Sequence, residues 1–112
     1  MRVIDNITTE NFQRHTILFQ DREIVLHLKF FTMLQQWFFD VEYKDFSLFG
    51  KHIAVNTYHL ITSNQPFDII ALDNSQVGLD PFRFNDFSSG RVSLLLLEPD
   101  DLTKIRGEPV PL

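Results

Sequence analysis

Gln36-Trp37-Phe38-Phe39-Asp40-Val41-Glu42-Tyr43 is the most informative stretch of this 112-residue chain. Trp37, the sole tryptophan, shares one parity with Phe39, Val41 and Tyr43, while Gln36, Asp40 and Glu42 share the other. A period of two is the mark of a strand with one buried face and one wet face. On either side the same period recurs. Glu23 to Phe30 alternates cleanly, with Ile24, Leu26, Leu28 and Phe30 on one face and Glu23, Val25, His27 and Lys29 on the other. Phe12 to Phe19 alternates more loosely, and Gln20-Asp21-Arg22 offers a polar turn, so these two runs are expected to pair as an antiparallel hairpin.

Beyond Lys44-Asp45, the stretch from Phe46 to Ile53 reads as a further strand with Gly50 near a turn or bulge. Val55 to Gln65 is mixed, with room for one helical turn around Thr57 to Ile61. Pro66 to Leu72 is a buried-strand candidate with its proline at the start, where a missing donor costs least. A long loop over Asp73 to Phe87 leads through Ser88-Ser89-Gly90 into the last strand, Arg91 to Glu98, which Pro99 ends. About six strands with mostly short connections predict an all-β domain, a small antiparallel sandwich or barrel over residues 12–101. Residues 1–11 read as an N-terminal extension and 102–112 as an extended C-terminal tail carrying Gly107, Pro109 and Pro111.

Composition narrows the function. A length of 112 residues sets one domain, and 44% hydrophobic residues suffice for a real core. Twelve phenylalanines favour half-buried pleated surfaces and leave some for a partner. A net charge of −5 with scattered basic residues argues against direct nucleic-acid binding, which needs clustered Lys and Arg. The absence of cysteine removes disulfides, thiolate metal sites and Cys nucleophiles. Neither a signal peptide nor a membrane span is expected, since Leu94-Leu95-Leu96-Leu97 is the longest apolar run and a spanning helix needs about 20 residues.

Chemical motifs are thin, and no catalytic, cofactor-binding or metal residue is assigned. His15, His27, His52 and His59 lack short ligand spacing. Asp73-Asn74-Ser75-Gln76-Val77-Gly78 resembles a calcium loop only at its start, because Val77 and Phe84 fall where oxygen ligands are needed; it reads as a turn-rich loop. Asp40 and Glu42 share one strand face, where acids serve solubility more often than glycoside chemistry. Two groups stand out as partner contacts. Thr32-Met33-Leu34-Gln35 lacks turn chemistry, so Met33 and Leu34 either pack back or reach toward another chain. Phe82, Phe84 and Phe87 lie in a loop with Arg83 and Asp86 between them, and form either a docking surface or a plug over the open end of the core.

The alternating hairpin, the Trp37-Phe38…Asp40-Val41 strand, Asp80-Pro81 and Asp86-Phe87, and the closing Leu97-Glu98-Pro99-Asp100-Asp101-Leu102 together resemble the baseplate plug family of contractile-tailed phages, typified by a cyanophage baseplate protein. The likeness covers roughly Thr16 to Leu102. It departs from the family pattern before the tryptophan, where Thr32-Met33-Leu34-Gln35-Gln36 replaces a turn containing Gly and Arg. The resemblance implies a non-enzymatic structural protein, made in the host cytoplasm and placed in the virion tail. It implies hub, tail-tube and spike proteins as partners and several copies related by symmetry. Pro109 and Pro111 suit a tail lying in a neighbour's groove. Two rival readings are a small β-barrel module whose Trp37 parity lines a ligand or peptide cavity, and a hydrolase built on Asp80 or Asp86 with a histidine.

Overall fold

The computed structural model describes residues 1–105. They form β1 (Arg2–Val3), β2 (Phe12–Phe19), β3 (Arg22–Phe31), β4 (Gln36–Tyr43), β5 (Phe46–His52), β6 (Asp68–Asp73), β7 (Val92–Leu97) and α1 (Pro99–Ile105). Antiparallel ladders group the strands into two sheets, β1-β7-β6 and β2-β3-β4-β5. The fold is thus the small antiparallel all-β fold that the alternation predicts. Its strands follow one another around the molecule in chain order, with β7 closing back on β1.

The two sheets meet along two seams of different construction. Between β5 and β6 the backbone itself makes the join. The Ile53 amide donates to the Trp37 carbonyl at 2.9 Å, Val55 bridges Ala71 in parallel, and the Asn56 amide donates to the Ala71 carbonyl at 2.7 Å. Between β1 and β2 a side chain makes the link: the Arg2 guanidinium donates to the Leu18 carbonyl at 3.0 Å.

The inward parities fill the space between the sheets. Ile24, Leu26 and Leu28 of β3, and Trp37, Phe39 and Val41 of β4, are fully buried in one core with Ile69, Leu94 and Leu96 of the other sheet and Phe67 just before β6. Each such side chain contributes roughly 1.5–3 kcal/mol when removed from water, so a one-residue slip of β3 or β4 would forfeit several of these terms together. This fixes the register. The connection from β2 to β3 is a two-residue turn, Gln20-Asp21, closed by Phe19 opposite Arg22. Both turn residues have left-handed backbones (φ 49° and 66°), as a type I′ hairpin requires, although neither is glycine.

Four features depart from the sequence reading. Asp40, expected on the wet face of β4, is buried: its carboxylate pairs with Lys29 and accepts the Gly50 amide at 2.7 Å, where β4 and β5 change register. Gly50 has φ +67°, and its left-handed turn presents that amide to the carboxylate. Around Thr57 to Ile61 there are successive turns (Ile61 to Tyr58, Ser63 to Leu60), and the helix lies elsewhere, at Pro99–Ile105.

That helix replaces the extended start of the tail at Leu102. Its cause is local. Pro99 occupies the first helical position, Asp100 and Asp101 sit at the positive end, and the Asp101 carboxylate accepts the Glu98 amide at 2.9 Å. α1 packs on β7 and buries Leu102, which explains why Leu94 to Leu97 is apolar on both parities. Residues 1–11 are likewise part of the β domain at their start, through β1 and the buried Ile4. Pro109 and Pro111 lie outside the described residues.

Candidate functional site

Two segments meet on Trp37. The first is the β3–β4 turn, in which the Leu34 and Gln35 amides donate to the Phe31 carbonyl at 3.1 and 2.8 Å and Gln35 closes with a left-handed backbone (φ 51°). This tight turn points its apolar side chains outward. Met33 is 96% exposed and Leu34 is exposed beside it. They do not pack back on the core.

The second segment is the loop between β6 and β7, which Arg91 holds in shape. Its guanidinium makes a bidentate pair with Asp86 (2.9 and 3.0 Å) and donates to the carbonyls of Leu79 and Asp80 at 3.2 and 3.1 Å. It also lies over the Phe82 ring and 3.4 Å from the Asp73 carboxylate. The Asp86 carboxylate further accepts the Phe82 and Arg83 amides at 2.7 and 2.8 Å. One ion pair therefore satisfies the backbone groups of Leu79, Asp80, Phe82 and Arg83 in the middle of the loop. Asp80 adds a tie to the β5–β6 seam by accepting the Val55 amide at 2.9 Å.

The electrostatics follow from this geometry. Burial alone would raise the Asp86 carboxyl; the Arg91 fork and the amides of Arg83 and Phe82 outweigh it and hold the carboxyl below its ordinary value. Arg91 is raised in return, chiefly by its bond to Asp86. Asp73 falls to about 2, first through the Ser75 hydroxyl, then through the amides of Gly78 and Ser75 and the charge of Arg91. The calcium-like stretch is thus a turn organised on its own first carboxylate, with Gly78 N at 2.6 Å.

The three loop phenylalanines have separate fates. Phe87 is buried and stacks edge-on against Trp37, with ring centroids 5.2 Å apart, so it plugs the core. Phe82 is half-buried beneath Arg83 and Arg91. Phe84 is 52% exposed. Trp37 Nε1–H donates to the Arg83 carbonyl at 2.9 Å, which pins the loop one residue before Phe84 to the strand that leaves the Met33-Leu34 turn. Met33 and Leu34 thus sit in the turn that leads into Trp37, and Phe84 follows the residue whose carbonyl the indole holds. Phe12 and Phe31, which sequence reasoning did not single out, form an aromatic row on the outer sheet face with Phe38 and His52. The rings of Phe12 and Phe31, Phe31 and Phe38, and Phe38 and His52 are 6.3, 5.3 and 5.4 Å apart. Their signal in the sequence was parity: each falls on the face opposite the core.

Of the histidines, His59 is engaged structurally on both ring nitrogens. His59 is buried, with Nδ1–H donating to the Ile69 carbonyl at 2.7 Å and Nε2 accepting the Ala54 amide at 3.0 Å. Burial lowers its pKa, outweighing the Ile69 bond and the nearby Asp68. The Trp37 parity faces protein side chains, Phe30 and Phe87 around Trp37 and His59 beside Phe39. Among the described residues no cluster of three or more potential metal ligands occurs, and no helix is long and apolar enough to cross a membrane. No protein-family model matches the chain, and no curated protein matches it.

Proposed function

We propose that this chain is a structural component of a contractile phage tail baseplate, a plug-like protein packing among hub, tail-tube and spike subunits without catalysing a reaction. The observation that carries this reading is the pair of segments that meet on Trp37, one projecting Met33 and Leu34 into solvent and the other exposing Phe84. Exposed apolar side chains on a rigid frame favour a surface completed by a partner. The resemblance of Thr16 to Leu102 to the baseplate plug family supplies the identity of that partner. The Arg91 knot supports the same reading, since it spends Asp80, Asp86 and Arg91 on holding a loop in one shape before any neighbour arrives. Purified protein should bind purified hub or tube-end protein without nucleotide or metal, and mass spectrometry should find it in intact tails. Failure to bind either partner, or absence from purified tails, would end this reading.

A further inference from the structure

The join between β5 and β6 hangs on side chains as much as on backbone. The Asn56 and His59 amides donate to the Ala71 and Ile69 carbonyls at 2.7 and 3.3 Å. Those of Ala54, Val55 and Leu60 donate instead to His59 Nε2, Asp80 and Asp68, at 3.0, 2.9 and 2.8 Å. A segment with so few ladder bonds opens more easily than the sheets beside it. Of the three side-chain acceptors, His59 alone depends on a single lone pair. A carboxyl that takes a proton keeps an acceptor oxygen, whereas an imidazolium has two donors and no acceptor. The geometry fixes which nitrogen is which. Nδ1 lies 2.7 Å from the Ile69 carbonyl, which only accepts, and Nε2 faces the Ala54 amide, which only donates. The neutral ring therefore carries its hydrogen on Nδ1, 5% exposed and edge-on to Phe39.

We infer that His59 is an acid-sensitive latch, whose protonation at Nε2 opens the seam over Ala54 to Leu60 while both sheets stay folded. A hydrogen on Nε2 points at the Ala54 N–H, so the acceptor becomes a second donor and the bond is lost. The cation would also be held out of water. Its charged neighbours pull in opposite directions. Asp68 of β6 favours the cation, Lys51 and His52 of β5 oppose it, and β4 presents the uncharged Phe39 ring. Burial is the largest influence, and it keeps the ring neutral while the seam is closed. Opening hands the cation to water and uncovers Leu60 and the edge of Phe39. It also frees the Val55 amide from Asp80, undoing one tie of the β6–β7 loop. The latch is independent of the baseplate reading, because no neighbouring subunit enters its measurement.

Amide hydrogen exchange between pH 7.5 and 5.5, corrected for the intrinsic rate at each pH and repeated in low urea, tests it. Ala54 and Leu60 should be less protected than Leu26 and Leu28 of β3. Their exchange should also ignore low urea, since a local opening exposes little surface. Their protection should fall by up to about tenfold across the range, because the open segment binds a proton near pH 6.5 that the closed one excludes. His59→Gln accepts the Ala54 amide through Oε1 and donates to Ile69 through Nε2 without titrating, so its seam protection should not vary with pH. Ring nitrogen shifts of wild type at pH 7.5 should report the Nδ1–H tautomer. Seam protection that is constant with pH, or equal to that of β3 and equally sensitive to urea, overturns the inference. So does a pH-dependent seam in His59→Gln or an Nε2–H tautomer. If His59→Gln fails to fold, the wild-type exchange profile and tautomer decide the matter.

Discussion

Replacing Arg91 with methionine tests how the functional end is built. The side chain keeps much of its packing length and loses the fork. Asp86 is only 2% exposed, so its carboxylate would remain in a poorly solvated place with two backbone amides and no counter-ion. Removing one partner of a buried ion pair costs about 3–5 kcal/mol. The Arg91 side chain is itself 18% exposed, which lets water soften the loss, while two carbonyls that it caps would each forfeit about 0.5–1.5 kcal/mol. These corrections oppose each other, and the expected destabilisation is about 3–4 kcal/mol. A domain of ordinary stability, about 5–15 kcal/mol, survives that loss and stays folded. The assay is urea denaturation followed by the emission of Trp37, whose indole bonds the same loop at the Arg83 carbonyl. Beyond the lower midpoint, the folded variant should emit to the red of wild type as the loop loosens over the indole. The double variant Arg91→Met/Asp86→Leu should cost less than the sum of its single changes, because the orphaned charge is gone. A loss below about 1 kcal/mol for Arg91→Met, or strictly additive single changes, would refute the idea that this pair organises the loop.

Further outcomes follow from the same structure. His59 is held neutral with a lowered pKa, as is His15, where burial outweighs the opposing charge of Asp5. The unfolded chain binds protons first, so stability should be constant above about pH 6.5 and fall as pH drops below it, a slope that His59→Gln should flatten in urea midpoints taken between pH 7.5 and 5.5. Gln20→Asn with Asp21→Gly removes left-handed strain from the β2–β3 turn and should raise stability by about 1 kcal/mol, read as a higher melting temperature. Asp101→Ala should cost about 1 kcal/mol by uncapping α1, seen as faster amide exchange over Pro99–Ile105. Met33→Ser/Leu34→Ser should leave stability within about 0.5 kcal/mol while abolishing hub binding, because these side chains contact solvent and not the core.

Legibility in the sequence tracked the range of the interactions involved. Strands β2, β3 and β4 could be read because burial on one sheet face imposes a period of two on the residues themselves, whereas β6 and β7 were read as short apolar runs set off by a proline and turn residues. Pro66 and Gly50 marked breaks for the same local reason. The capped start of α1 was also written locally, in Glu98-Pro99-Asp100-Asp101, but the proline was read as a strand stop and not as a first helical residue. The Arg91 knot was not readable. It joins Asp73, Leu79, Asp80 and Asp86 through a fold that brings them to one guanidinium, and no spacing announces that. The loop aromatics were noticed as a group, and only packing separates Phe87 in the core from Phe84 outside it. Asp40 was misplaced for a related reason: strand parity says which way a side chain points, and not whether a bulge with Lys29 beside it closes over that position.

Electron cryo-microscopy of tail baseplates purified from cells that make this chain bears most directly on the central claim. The reconstruction should show the seven-stranded domain among hub, tube and spike subunits, with Met33, Leu34 and Phe84 buried against one of them. Baseplates that lack the domain, or that hold it with those three side chains facing solvent, would contradict the account.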